Sequence, residues 1–263
     1  MDSSALPTTS GDYSGNSLSF IYIRRTPMSM PHPSSEALDM TPHRHFDDEM
    51  AKMHVLLTRM FDEVARQLTN AIESVVHHNV DLARSVRAGD DEVDDMEVQV
   101  DHQCEVLLAT QQPVAVDMRM LVTAIKVNTD LERIGDHSAN IAKHVPFLAT
   151  VPSFVYEQTR IQDMGRDASH ILNKTRAAFL DQDTKAAHEI LPLDADVDRL
   201  YKNAFAKIIE LGEAHPEYAE GLAYLLIVTK SLERICDHAM NIAESVIFQV
   251  DGTDIRHQRN QKA

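Results

Sequence analysis

This sequence contains one design twice, as Val127-Asn-Thr-Asp-Leu-Glu-Arg-Ile-Gly-Asp-His-Ser-Ala-Asn-Ile-Ala142 and as Val228-Thr-Lys-Ser-Leu-Glu-Arg-Ile-Cys-Asp-His-Ala-Met-Asn-Ile-Ala243. The two copies lie 101 residues apart, since Glu132 corresponds to Glu233. Neither copy contains Pro, and in both the apolar residues recur at helical spacing. Each copy is therefore predicted to be a helix, and the 263 residues are enough for two similar halves.

The rest of the chain repeats in the same order, which predicts an all-α fold of two tandem, pseudo-symmetric three-helix bundles. In each half the first helix is expected to break at a capping residue, Asp81 or Asp183. We predict a disordered N-terminal extension over residues 1–45, which are rich in Ser, Thr, Pro and Gly. The first repeat is predicted over residues 46–149, the second over 150–250, and a polar tail over 251–263.

The composition excludes several classes of function. A net charge of −16 argues against nucleic acid as a partner and favours cations or a basic protein surface. Two Cys residues without metal-ligand or disulfide spacing indicate a reducing cytoplasm. No apolar run approaches the roughly 20 residues that a membrane span needs, and the sequence contains no Gly-rich phosphate loop, Gly-x-Ser-x-Gly or His-Glu-x-x-His motif.

Acidic residues form a stripe on each repeated helix, on nearly the opposite face from the apolar row. In the first copy the stripe is Glu132 and Asp136, followed by Asn140. It is therefore predicted to point outward. Carboxylates at positions i and i+4 stand about 5–6 Å apart at Cβ, close enough to share a cation, and oxygen ligands suit hard ions such as Mg²⁺ and Mn²⁺.

The preceding helix of each half adds a second pair of acids that can converge on the stripe. The candidate metal ligands are Glu132, Asp136, Asp90 and Asp94 in the first half, and Glu233, Asp237, Asp194 and Asp198 in the second. His137 and His238 lie about 100° round the helix from the stripe and are not expected to be ligands.

Three interpretations of the stripes remain open at this point. The first is that the acids simply keep a helix face solvated. Against it, Glu, Asp and Asn are the same in both copies while several neighbours differ, which favours a function such as cation binding. The alternatives are a carboxylate-bridged metalloenzyme, such as a hydrolase or oxidase, and a helical scaffold without functional metal.

The segments Leu131-Glu-Arg-Ile-Gly-Asp-His137 and Asn140-Ile-Ala142, their repeat from Leu232, and Gln111-Gln-Pro-Val-Ala-Val-Asp-Met-Arg-Met120 closely resemble the signatures of the PhoU family of bacterial regulators of phosphate-specific transport. The resemblance covers about residues 46–250. It implies two symmetric three-helix bundles, each binding iron, zinc, manganese or magnesium through a Glu/Asp-x-x-x-Asp motif.

The same resemblance implies an adaptor rather than an enzyme. PhoU-like proteins are thought to act between the ATPase of a phosphate transporter and a membrane-bound sensor histidine kinase, so that the chain would meet the membrane only through its partners. The sequence leaves open whether two copies form a homodimer.

Overall fold

The computed structural model describes the backbone of residues 41–255 and the side chains of residues 46–255. Within these residues the chain is helical and contains no β-strand. The α-helices are α1 (Thr41–Val76), α2 (Val80–Ala88), α3 (Asp90–Gln111), α4 (Ala115–His144), α5 (Ser153–Thr159), α6 (Ile161–Asp181), α7 (Thr184–Ile190), α8 (Asp194–Ala214) and α9 (Ala219–Asp251). None of the described helices has both the length and the apolarity needed to cross a membrane.

The predicted pair of three-helix bundles is confirmed, with a broken first helix in each half. The break between α1 and α2 has His78 in the left-handed region, at φ 49°, and the break between α6 and α7 has Gln182 there, at φ 51°. The next residue caps the following helix in both halves: Asn79 accepts a hydrogen bond from the backbone N–H of Leu82, and Asp183 does the same for Ala186.

The prediction that Asp81 caps α2 is therefore wrong. Asp81 lies in the first turn of α2, where its charge suits the helix dipole, but the cap is Asn79. Asn79 and Asp183 are equivalent caps that lie 104 residues apart. Equivalent residues ahead of the repeated motif are therefore offset by 104 residues, three more than the 101 residues between the two copies of the motif.

Two predicted boundaries also change. Helix α1 begins at Thr41, so the predicted disordered extension is wrong for residues 41–45, and its remainder, residues 1–40, lies outside the described residues.

The connector after α4 contains a short 3₁₀ turn and the helix α5, which the sequence analysis missed. Asp251 ends α9 with Gly252 as its cap, and residues 256–263 of the predicted tail lie outside the described part.

Helices α4 and α9, which carry the two repeated motifs, pack against each other at the centre of the molecule. Asn140 donates to Ser231 at 3.0 Å, and Asn241 donates to Asp130 at 3.1 Å. Because a later residue of α4 meets an earlier residue of α9, the two helices run antiparallel.

The same contacts reveal an approximate two-fold relation between the halves. Asp130 and Ser231 are equivalent positions of the repeat, as are Asn140 and Asn241, so the two hydrogen bonds are related by exchanging the halves. His137 and His238 are also equivalent, and their rings lie 5.7 Å apart. The pseudo-two-fold axis therefore passes close to this histidine pair.

The two halves share one apolar core rather than meeting as separate domains. A second contact between them brings α6 against α1, where Gly165 faces Ile72. A Cβ atom on Gly165 would stand 2.8 Å from Ile72 Cγ2, closer than such atoms approach in folded proteins. Arg176 of α6 also pairs with Asp62 of α1 at 2.6 Å.

We expect Gly165→Ala to unfold more easily than Gly212→Ala. Both changes improve helix propensity by about 1 kcal/mol, but a Cβ on Gly212 meets nothing closer than Leu222 Cδ1 at 3.8 Å. The overpacking at Gly165 should make its free energy of unfolding about 1–3 kcal/mol lower than that of Gly212→Ala. Urea denaturation of both variants measures the difference, and equal stabilities would contradict the close approach of α1 and α6.

Candidate acidic metal sites

The first candidate site lies between α3 and α4. Burial, and next the charge of Asp136, raise the pKa of Asp90 to about 6. The same two causes raise the pKa of Asp94. The structure therefore brings these two predicted residues of α3 near Asp136 of α4, as the sequence analysis expected, and the like charges of the three carboxylates repel one another.

Glu132 is mostly buried beside this group, with 15% of its side chain exposed. Burial, followed by the charge of Asp136, raises the pKa of Glu132 to about 7. Arg133 offsets part of this charge, because its Nε lies 3.3 Å from Glu132 Oε2 and its guanidinium donates to Asp136 Oδ2 at 3.0 Å. The arginine inside the motif thus pairs with the acids of its own helix.

The second candidate site lies between α8 and α9. Glu233 has only 11% of its side chain exposed, and Lys230 donates to its Oε2 at 2.6 Å. Burial, followed by the charge of Glu233, raises the pKa of Asp237, and Asp194 adds to the effect. Arg234 donates to Asp237 Oδ2 at 3.3 Å, which repeats the contact of Arg133.

Asp198 differs from its counterpart Asp94. It pairs with Lys202 on its own helix at 3.5 Å, and no contact in the described residues joins it to Glu233 or Asp237. Of the candidates in the second half, the structure groups Glu233, Asp237 and Asp194.

The prediction that both stripes point outward is wrong for the glutamates. Glu132 and Glu233 are mostly buried, whereas Asp136 and Asp237 keep 44% and 35% of their side chains exposed. The reason is that α3 and α8 pack beside the stripe face, which a single helix considered alone leaves open. Asn140, at the end of the first stripe, is used in the contact with α9.

The donor set at these sites suits a hard cation more than a soft one. Within residues 46–255 no three His, Cys, Asp or Glu side chains approach closely enough to enclose a metal ion by themselves. Mg²⁺ does not need three such side chains, since it is usually held by one or two carboxylates and keeps several waters. Mn²⁺ also takes carboxylate, carbonyl and water ligands. In the first half the oxygen of a buried amide, Gln67 Oε1, lies nearby without a hydrogen-bond partner, so the residues present fit such an ion.

The sequence analysis missed several residues around the sites. Glu97 of α3 lies close enough for its charge to raise the pKa of Glu132. It could have been found, because Asp90, Asp94, Glu97 and Asp101 follow one another at helical spacing along α3. Gln67 is on α1, and no spacing within the sequence connects it with the motif 60 residues later.

The two motif histidines lie at the interface of α4 and α9. His137 packs on His238 across the α4–α9 interface, and His238 Nδ1 lies 2.9 Å from Asp130 Oδ1. That neither histidine is a metal ligand stays a prediction.

Comparison with known proteins gives a family for the chain. The model of the PhoU domain matches it twice, over residues 57–145 and 161–246, which are the two halves of the fold. The chain belongs to the PhoU family. Each match ends shortly after one copy of the repeated motif.

Relatives with assigned names support the same placement. The phosphate-specific transport system accessory protein PhoU homolog of Pseudomonas aeruginosa is 31% identical over 214 residues, covering 81% of this chain and 88% of that protein. The homolog of the same name from Caulobacter vibrioides is 31% identical over 222 residues, covering 84% and 96%. These proteins are named as accessory proteins, which agrees with the prediction that the chain is not an enzyme.

Solved PhoU structures confirm the fold. The crystal structure of PhoU from Pseudomonas aeruginosa aligns with a TM-score of 0.75 at 31% identity, covering 79% of this chain and all of that one. The phosphate transport system regulatory protein PhoU from Streptococcus pneumoniae aligns with a TM-score of 0.73 at 25% identity, covering 80% and 98%.

In the presence of a chelator, Glu132→Gln should stabilise the protein at high pH. Because the folded-state pKa of Glu132 is raised from 4.5 to about 7, the unfolded chain ionises first as pH rises, and the wild type loses stability across this window. The gain from the variant should be small at pH 5 and reach roughly 1 kcal/mol at pH 8, allowing for solvent screening.

Urea denaturation at the two pH values measures this gain. Glu105→Gln, which changes an exposed carboxylate on α3, is the matched control and should show no comparable rise. A gain at Glu132 that does not depend on pH would contradict the burial of its charge.

Proposed function

We propose that this protein is a negative regulator of the phosphate-starvation response that also modulates phosphate uptake. It would act as a metal-binding adaptor between the ATPase subunit of a phosphate ABC transporter and a sensor histidine kinase. The observation that carries the proposal is the match of the PhoU domain to both halves of the chain. Relatives of the chain are named accessory proteins of phosphate-specific transport, and a similar solved structure is named a phosphate transport system regulatory protein.

In this proposal each acidic site holds a divalent or trivalent cation, whether iron, zinc, manganese or magnesium. Asp90 and Asp136 would hold it in the first half with Glu132 alongside, and Asp237 with Asp194 would hold it in the second. The cation supplies charge neutralisation and no chemical step. It would offset the burial and, after it, the repulsion from Asp136 that together raise the pKa of Asp90, and so fix α3 against α4.

The two halves present different surfaces to partners, which suits an adaptor. Helix α8 exposes the apolar side chains of Phe205 and Ile209, each 45% exposed. The equivalent positions of α3, 104 residues earlier, are Asp101 and Glu105. Conversely, Val98 and Val106 of α3 are 66% and 45% exposed, where α8 has Lys202 and Glu210. The two halves thus expose apolar side chains at non-equivalent positions, which favours two different partner surfaces.

The net charge of −16 indicates that at least one partner surface is basic. A cytoplasmic location follows from the proposed partners, because a transporter ATPase and the kinase domain of a sensor both work in the cytoplasm. The chain would then reach the membrane only through these partners.

Deleting the gene in the source organism should switch on a phosphate-starvation reporter, such as alkaline phosphatase, in medium with ample phosphate. Complementation with the wild-type gene should switch it off again. A reporter that stays off in the deletion strain would mean that the family membership gives the fold but not the regulatory role.

The double variant Asp136→Asn with Asp237→Asn should lose most of the bound metal and fail to repress the reporter. The matched control is Asp181→Asn, an exposed carboxylate at the end of α6, which should bind metal and repress as the wild type does. Metal content is measured on the purified protein by mass spectrometry. A double variant that lost metal but still repressed would show that the cation is not needed for signalling.

A further inference from the structure

The side-chain amide of Gln67 on α1 is buried with a fixed orientation. Its exposed fraction is 0%, and its Nε2 donates to the backbone oxygen of Gly89 at 2.8 Å and to Glu63 Oε1 at 3.2 Å. Both partners accept hydrogen bonds, so the nitrogen must face them. The amide oxygen therefore points in the other direction.

That oxygen points toward the first acidic site. A Cβ atom built on Gly135 would lie 3.6 Å from Gln67 Oε1 and also 3.6 Å from Asp90 Oδ1. Val93 Cγ1 is nearer, at 3.3 Å, so the two oxygens and this methyl group together border the place that a side chain on Gly135 would occupy, next to Asp136 in the sequence of α4. The absence of a Cβ at this position allows an amide oxygen and a carboxylate to face one space.

Gln67 Oε1 has no hydrogen-bond partner within the described residues. A buried polar atom without a partner costs about 1–3 kcal/mol in general, so such an atom calls for an explanation. A cation between Gln67 Oε1 and the carboxylates of Asp90 and Asp136 satisfies the amide oxygen and offsets the negative charge at the same time.

The second half replaces this arrangement with apolar groups. The position equivalent to Gln67 is Ile171, and the position equivalent to Gly135 is Cys236. Both residues are 2% exposed and belong to the core. The amide and the open space are therefore both absent from the second half, although the acidic motif is kept.

We propose that Gln67 supplies an amide-oxygen ligand to a hard divalent cation in the first half, and that the two acidic sites consequently differ in their affinity for such ions. This inference rests on the proposed binding of metal at the acidic sites. The first site is the one that favours Mn²⁺ or Mg²⁺, whose preferred donors are carboxylate, carbonyl and water oxygens.

The test measures Mn²⁺ binding by calorimetry to the full chain after removal of metal with a chelator. An Asp237→Asn background reports the first site, and an Asp136→Asn background reports the second. Gln67→Ile, which copies Ile171, should weaken Mn²⁺ binding about tenfold or more in the first background, the range seen when a supporting residue of a metal site is lost. In the second background it should change the affinity less than about twofold.

Gly135→Cys provides a second variant that keeps Gln67 and copies Cys236. Its side chain fills the space between the two oxygens, so Mn²⁺ binding to the first site should fall by a similar factor. This variant decides the question if Gln67→Ile does not fold, as judged by circular dichroism.

Unchanged Mn²⁺ affinity in the Asp237→Asn background would overturn the inference and leave the proposed function standing. It would mean that the partner of Gln67 Oε1 is a proton, held for example on Asp90. Failure of the unmutated chain to bind Mn²⁺ or any other metal would overturn the metal-binding part of the proposed function together with this inference.

Discussion

The antiparallel packing of α4 on α9 is the constraint on which the rest of the structure depends. Each helix buries its apolar row in the shared core, including Val127 and Leu131 on α4 and Val228 and Leu232 on α9. Since successive residues of a helix are about 100° apart, the remaining positions of the motif fall at fixed angles from this row. The asparagines at the end of each motif reach across to the other helix, and the carboxylates are left at the edge, where α3 and α8 meet them.

This constraint explains why a duplicated motif has not produced two equal sites. The helices α4 and α9 are held in a symmetric relation, but the helices packed beside them have diverged. In the second half Lys230 pairs with Glu233 and lies 5.0 Å from the ring centre of Tyr201. The equivalent first-half positions hold Thr129 and Glu97, so that Glu132 faces another carboxylate instead of a lysine under an aromatic ring.

The sequence predicts the parts of the fold that depend on one helix at a time. Apolar spacing gives the long helices, and the repeat gives the two halves. Helix α5 was missed because its seven residues, next to Pro152, are too few to establish a helical period. The capping residue was misplaced because Asn79 and Asp81 are both suitable caps, and only the backbone shows which one precedes the first turn.

The sites could be predicted only in part for a related reason. Spacing on α4 and α9 identifies Asp136 and Asp237 with their glutamates, and spacing on α3 identifies Asp90 and Asp94. The burial of Glu132 and the approach of Gln67 depend on how three helices pack together, which no periodicity within one helix records. Gly135 was the available signal, because glycine within a helix costs stability and calls for a structural reason.

The cation-binding site that we propose lies between α3 and α4, beside the interface of the repeated helices. A crystal structure of the protein grown with Mn²⁺, with anomalous scattering recorded at the manganese absorption edge, tests it most directly. We expect a peak in the first half between Asp90 and Asp136, within coordination distance of Gln67 Oε1. Well-ordered carboxylates at that place with no anomalous peak, or manganese bound only elsewhere on the surface, would contradict it.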